Sequence, residues 1–181
     1  MNLLDIYELV DWHQNNRDKP AGESVGLFIP LPSDLAKQYP PKGEGNDNSP
    51  PHITLLYCGT VPEHMEDKME EVCKQVCTNF KSFNVKIKKP RKFINDKNET
   101  IRHSPIASLR LKRFHECMKE AFMQAGLPLS DKYPDYKPHI TIEYIPQGQK
   151  SQYKEIKPQG QFKVEEVHMW GGTQPHIFKL K

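Results

Sequence analysis

No stretch of this chain is apolar for long enough to cross a bilayer, and the amino terminus carries no basic-then-apolar signal pattern. A cytoplasmic location is therefore expected, in the host cytoplasm if the source is viral. Cysteine is scarce: Cys58, Cys73, Cys77 and Cys117 match neither zinc-pair spacing nor the framework of a disulfide-stapled secreted domain. Cys73 and Cys77, four apart in a helical pattern, read as small buried hydrophobes rather than metal ligands. Charge of one sign is also lacking, with 26 Lys and Arg against 23 Asp and Glu for a net +3. So mixed a surface does not suit a nonspecific duplex-DNA binder. The densest basic clusters, KIKKPRK at 86–92 and RLKR at 110–113, read as a solvated strand edge and a helix start. No dense carboxylate cluster is present to hold a metal, and no cofactor is expected.

What is present is enough for a real hydrophobic core, since 181 residues suit one domain or two closely joined lobes. Residues 2–13 place Leu3, Ile6, Leu9 and Val10 at helical spacing behind Asn2 as a cap, and the polar run to residue 23 reads as a linker. The main body is then 24–181, with two lobes. VGLFIPL at 25–31 is expected to be a buried strand, followed by a helical turn at 33–38 and a Pro/Gly/Asn loop. HITLLYCG is strand-like. The segment 61–80 predicts a helix with Met65, Met69, Val72, Cys73, Val76, Cys77 and Phe80 on one stripe, its acidic amino end favoured by the helix dipole. FNVKIKK, KFIN and PIASLRL predict three strands, and 111–126 a second helix with Phe114, Met118, Ala121, Phe122 and Ala125 inward and Gly126 as its stop. A further motif strand from 139, QFKVEEVHMW as one strand, a Gly-Gly turn and HIFKLK complete the chain. Each motif strand is thus expected to have its own helix partner in one of two similar α+β halves.

The informative feature is a repeat. SPPHITLLYCG at 49–59 and YKPHITIEYIP at 136–146 share Pro-His-Ile-Thr, an aliphatic residue, and a Tyr five beyond the His. A single His-x-Thr is weak, about 0.3 expected by chance from eight His and six Thr in this length. Two copies with matched neighbours are not explained that way. Alternation along a strand puts His52 and Thr54 on one face and Ile53 and Leu55 on the other, and likewise His139 and Thr141 against Ile140 and Ile142. If the halves pack about a pseudo-twofold, two imidazoles and two hydroxyls face each other across a groove. Cleaving a P–O bond at neutral pH needs one proton acceptor and one donor, and histidine, with an ordinary pKa of about 6.5, serves as either. The threonines would bind nonbridging phosphate oxygens and orient the group.

On these two His-Ile-Thr motifs the chain resembles the two-histidine (2H) phosphoesterase superfamily, which includes RNA-ligase-like cyclic phosphodiesterases, 2′-5′ oligoadenylate phosphodiesterases and phage proteins. The resemblance covers roughly 24–181. It implies an α+β, bilobal, pseudo-symmetric fold with two mostly antiparallel sheets flanking a central groove and helices outside. It also implies His52 and His139 as the acid–base pair and Thr54 and Thr141 as phosphate-binding hydroxyls. The expected activity is metal-independent cleavage of a nucleotide phosphodiester: a 2′,3′-cyclic phosphate, a 2′-5′ linkage, or a cyclic oligonucleotide as in phage anti-CBASS enzymes. A non-catalytic module that captures RNA ends or nucleotides is the alternative. RNA ligation is weakened by the lack of a nucleotide-charging lysine motif. Neither the sequence nor the resemblance says which histidine is acid and which base.

Candidate substrate contacts surround the pair. Tyr57 and Tyr144, at an odd offset from their histidines, should point away from the His-Thr face of a regular strand; a bulge would return them to the groove. Tyr39, Tyr133, Tyr136 and Trp170 are placed where a base could stack, and Lys132 and Lys137 where an ammonium could meet phosphate. His103, His115, His168 and His176, with no matching Thr, read as packing or surface residues.

Overall fold

The computed structural model describes residues 24–41, 49–95, 97–130 and 135–181. The helix and linker expected over 1–23, together with Lys132 and Tyr133, lie outside the described residues. Strand β1 (Ser24–Pro30) leads into the single helical turn α1 (Ser33–Ala36), and β2 (His52–Thr60) carries the first motif. A 3-10 turn (Glu63–Met65) opens helix α2 (Glu66–Asn79). Strands β3 (Phe83–Ile87), β4 (Arg91–Ile94) and β5 (Thr100–Ala107) precede helix α3 (Leu109–Gln124). Strand β6 (His139–Ile145) carries the second motif, followed by β7 (Gly160–Val164), β8 (Glu166–Trp170) and β9 (His176–Lys179).

Two antiparallel sheets result. One runs β2-β1-β8-β9; in the other β5 pairs with β6 on one side and with β4 and β3 on the other, and β3 pairs with β7. Among the described strands, each motif strand therefore stands at the edge of its sheet beside one partner, β1 for β2 and β5 for β6. The two edges approach each other within 8 Å between Cα atoms, so both motifs lie at the junction of the sheets. Among the described residues no helix is long and apolar enough to cross a membrane.

The centres of the apolar stripes expected from sequence are buried, while Met65, Val72, Val76, Phe80 and Ala125 are half-buried against the core. Met69, Cys73 and Cys77 of α2 and Leu111, Phe114, Met118 and Phe122 of α3 are inaccessible, and burial pushes the Cys77 thiol up to about 12, so it behaves as a small hydrophobe. The Ser108 hydroxyl accepts from the Leu111 N–H at 3.1 Å and caps α3. Gly126, at φ 67°, ends it, and the Leu127 N–H returns to the Phe122 carbonyl at 2.9 Å.

Three expectations are corrected. PIASLRL is a strand only to Ala107, because Ser108 starts a helix there, and the strand instead extends back to Thr100. QFKVEEVHMW is two strands. Phe162 and Val164 are core residues of the second sheet, while Val167 and Met169 belong to the first, and the chain changes sheets at Glu165. The helices are not one per lobe: α3 lies across β2 and β3, α2 packs on β9 and on α3, and one continuous core spans both sheets.

Candidate active site

Both motifs begin with the same local device. The residue before a proline is held extended, and in each copy the carbonyl of that residue meets the motif imidazole: His52 Nδ1 lies 2.8 Å from the Pro50 carbonyl and His139 Nδ1 2.8 Å from the Lys137 carbonyl. A carbonyl only accepts, so Nδ1–H donates in both rings and the lone pair of the neutral imidazole sits on Nε2. The prolines' own carbonyls extend the ladders, Pro51 accepting from the Leu31 N–H at 3.1 Å and Pro138 from the Ile106 N–H at 2.9 Å. The two histidines thus start their strands in matched tautomer and register.

The match continues through a bulge. Along β2, Phe28 pairs with Thr54 and Leu27 with Leu56, leaving Leu55 extra; along β6, His103 pairs with Thr141 and Arg102 with Glu143, leaving Ile142 extra. One extra residue reverses the alternation. Leu55 and Leu56 are both buried, as are Ile142 and Glu143, and the tyrosines that follow turn to the His-Thr face. Tyr57 and Tyr144 therefore do not point away as a regular strand requires. Tyr57 is half-buried there and Tyr144 is exposed.

Edge-on aromatic contacts wall each histidine. His52 meets Phe28 at 4.9 Å and Trp170 at 5.0 Å between ring centroids, and those two rings stack on each other at 4.4 Å. His139 meets His103 at 5.2 Å and Phe93 at 5.6 Å. Phe28 and His103 are equivalent, each standing opposite its motif threonine on the neighbouring strand. Rings held on two sides have few rotamers, and so keep Nε2 aimed in one direction.

Several expected contacts have other work. Trp170 is 2% exposed and stacked on Phe28, so it supports His52 and has no open face for a base. Tyr39 is buried in the core, its phenol pushed up to about 12 by desolvation and opposed by the Ser104 hydroxyl. Tyr136 donates its hydroxyl to the Thr54 carbonyl at 3.2 Å and stacks on His115 at 3.8 Å, while His115 Nδ1–H donates to the Leu55 carbonyl at 2.7 Å. That pair satisfies two carbonyls of β2. Lys137 contributes its backbone carbonyl to His139, and its exposed ammonium lies 3.7 Å from Asp135. His168 is buried and donates Nε2–H to Glu166 at 2.8 Å, and His176 packs against Phe178 beside Glu70. Sequence reasoning missed His103, Phe28 and Phe93, because only strand pairing brings them beside the motifs.

Burial lowers the pKa of His139 below the ordinary 6.5, with the Lys137 carbonyl opposing. His103 is lowered by burial and by the neighbouring His139 charge, and His115 by burial against the Leu55 hydrogen bond. The bond from His168 holds Glu166 below 4.5. All four shifts have one sign, since the folded chain binds fewer protons than the unfolded one. The stability from the three histidines is complete above 6.5 and is lost as pH falls through and below that value; the Glu166 contribution is lost further down, below 4.5. Calorimetry should therefore show Tm falling between pH 7.5 and 5.5, and a flat or rising Tm contradicts these assignments.

Among the described residues no group of three or more His, Cys, Asp or Glu is placed to hold a metal ion. His52 and Thr54 on β2 and His139 and Thr141 on β6 thus stand on two strands that approach within 8 Å between Cα atoms.

The model of the 2′-5′ RNA ligase superfamily matches residues 35–174. No curated protein matches the chain in sequence. Similar solved structures include TT0787 of Thermus thermophilus, at TM-score 0.62 and 15% identity, covering 87% of this chain and 95% of that one. E. coli LigT complexed with 3′-AMP gives 0.58 and 14%, covering 88% and 96%. Usb1 of Kluyveromyces marxianus gives 0.59 and 13%, covering 90% and 100%. At such identities these neighbours establish the fold, and the family match extends over most of the sequence: the chain belongs to the 2′-5′ RNA ligase superfamily of two-histidine phosphoesterases.

Proposed function

We propose that the protein is a metal-independent phosphodiesterase that cleaves a nucleotide phosphodiester by acid–base catalysis between His52 and His139. The observation that carries this reading is the duplicated geometry: two His-Ile-Thr edge strands in contact, each with Nδ1–H committed to the carbonyl two residues back and a bulge one residue past its threonine. One Nε2 takes the proton from the attacking hydroxyl or water; the other, protonated, gives one to the departing oxygen. The Thr54 and Thr141 hydroxyls donate to the nonbridging oxygens and hold phosphorus between the rings. No Lewis acid is required for either proton transfer. Tyr57 and Tyr144, on the same faces, flank the phosphate.

A panel of 2′,3′-cyclic-phosphate RNA, 2′-5′ oligoadenylate and cyclic di- and trinucleotides, assayed with EDTA, tests this. Turnover should survive EDTA and follow a bell-shaped pH profile, with the limb governed by His139 lying below 6.5 in the free enzyme. Binding without conversion across the panel would indicate a capture module instead.

A further inference from the structure

Trp170 walls His52 and is also the last residue of β8, so the connection into β9 decides where that indole sits. Two glycines open the connection. Gly171 has φ 84° and Gly172 φ 76°, a left-handed backbone that glycine adopts without steric cost. A Cβ on Gly171 would stand 2.6 Å from the Ser24 carbonyl oxygen at the start of β1, and one on Gly172 would stand 2.9 Å from the Glu66 carboxylate. Thr173 then donates both its N–H and its hydroxyl to Glu66, at 2.9 and 2.7 Å. One helical turn along α2, Glu70 lies 3.4 Å from His176, the first residue of β9. Helix α2 thus holds both ends of the connection.

This grip is disproportionate to a surface turn. Glu66 is 7% exposed, whereas Gly172, Thr173 and Gln174 are open to solvent. Burying a carboxylate costs free energy that its hydrogen bonds must offset, and a solvated turn satisfies its own donors in water. What the two bonds fix is the close approach of residues 171–173 to β1 and α2, and through it the end of β8. There Trp170 stacks on Phe28 and both rings meet His52, so a displaced indole displaces the imidazole.

We infer that Glu66 is a positioning residue for His52: through Thr173 it seats the Gly171-Gly172 turn, and with it Trp170, against which the imidazole keeps its aim. The inference rests on the proposed phosphodiesterase reading for its effect on turnover only, since the seating of the ring does not depend on the reaction.

Glu66→Ala tests it, with Thr173→Val as a second variant that removes one donor and leaves the carboxylate in place. Both should fold, because the donor groups of Thr173 lie on an exposed residue and turn to water. Glu66→Ala should lower kcat by about 10–10²-fold, the cost of a misplaced catalytic group, with KM within about twofold of the parent protein. Thr173→Val should lower kcat less, and Thr173→Ser should restore it. The Glu66→Ala loss should persist in a His139→Ala background, where His52 still acts, and vanish in His52→Ala, where no ring remains to be aimed. In NMR spectra of the unliganded protein the His52 Cε1–H resonance, assigned by its loss in His52→Ala, should move in Glu66→Ala while that of His139 stays in place. An unmoved His52 resonance, or a kcat loss that survives in His52→Ala, would overturn the inference. A moved resonance in a protein that converts no substrate leaves the seating intact and removes the phosphodiesterase reading.

Discussion

Replacing either His52 or His139 by alanine is expected to lower kcat by about 10²–10⁴-fold, the range supplied by a positioned acid or base. The fold should survive, because both rings are only partly buried and neither is part of the continuous core. The double variant should be little worse than the poorer single one, since two groups acting on one phosphorus are not additive. Substrate affinity should change far less than turnover if the threonines hold the phosphate. Single-turnover kinetics separate the two effects, and near-wild-type chemistry in either variant would remove that histidine from the mechanism.

The second large effect is on stability. Arg102 is 6% exposed and Glu143 3%, facing each other across β5 and β6 with their nearest atoms 3.9 Å apart. The guanidinium donates to the Tyr153, Lys154 and Ile156 carbonyls, and the carboxylate accepts from the Ser151 hydroxyl and the Gln152 N–H at 3.1 Å. Together they strap the 151–156 segment onto the sheet beside the second motif. Arg102→Ala leaves a buried carboxylate without its cation and strips three carbonyls of their donor. Losing one partner of a buried pair costs about 3–5 kcal/mol, and about 2–4 °C of Tm accompanies each kcal/mol in a chain of this size. A drop of roughly 6–20 °C is expected by calorimetry; a loss below about 1 kcal/mol would show that the strap is a solvated contact.

The motif itself was legible in sequence because its constraints are local. Prolines before both histidines, period-two alternation and the Ile/Thr pattern are each written in consecutive residues, and so are the two long helices. The bulge was half legible. Leu55-Leu56 breaks alternation visibly, but Ile142-Glu143 hides the same break, because Glu143 is a charged residue buried by its pairing with Arg102. The extent of β5 was obscured by Pro105, which interrupts a strand pattern unless its missing N–H falls where no ladder bond is needed. The walls of the site were not legible at all. Phe28, Phe93 and His103 reach the motif histidines only through cross-strand pairing and ring contact, and nothing along the sequence marks that register. Tyr39 and Tyr136 misled in the opposite direction: turn-rich surroundings suggested exposed rings, whereas one fills the core and the other satisfies the Thr54 carbonyl.

The two histidines should be distinguishable by the oxygen that leaves. A nucleoside p-nitrophenyl phosphodiester departs as a weakly basic phenolate that needs no proton, so loss of the acid matters little while loss of the base matters fully. Turnover of this compound by His52→Ala and His139→Ala, in EDTA, is therefore the most direct measurement. One variant should recover to within about tenfold of the parent protein and the other should remain down by about 10²-fold or more. Equal rescue of both, or of neither, would contradict a division of proton transfers between opposed imidazoles.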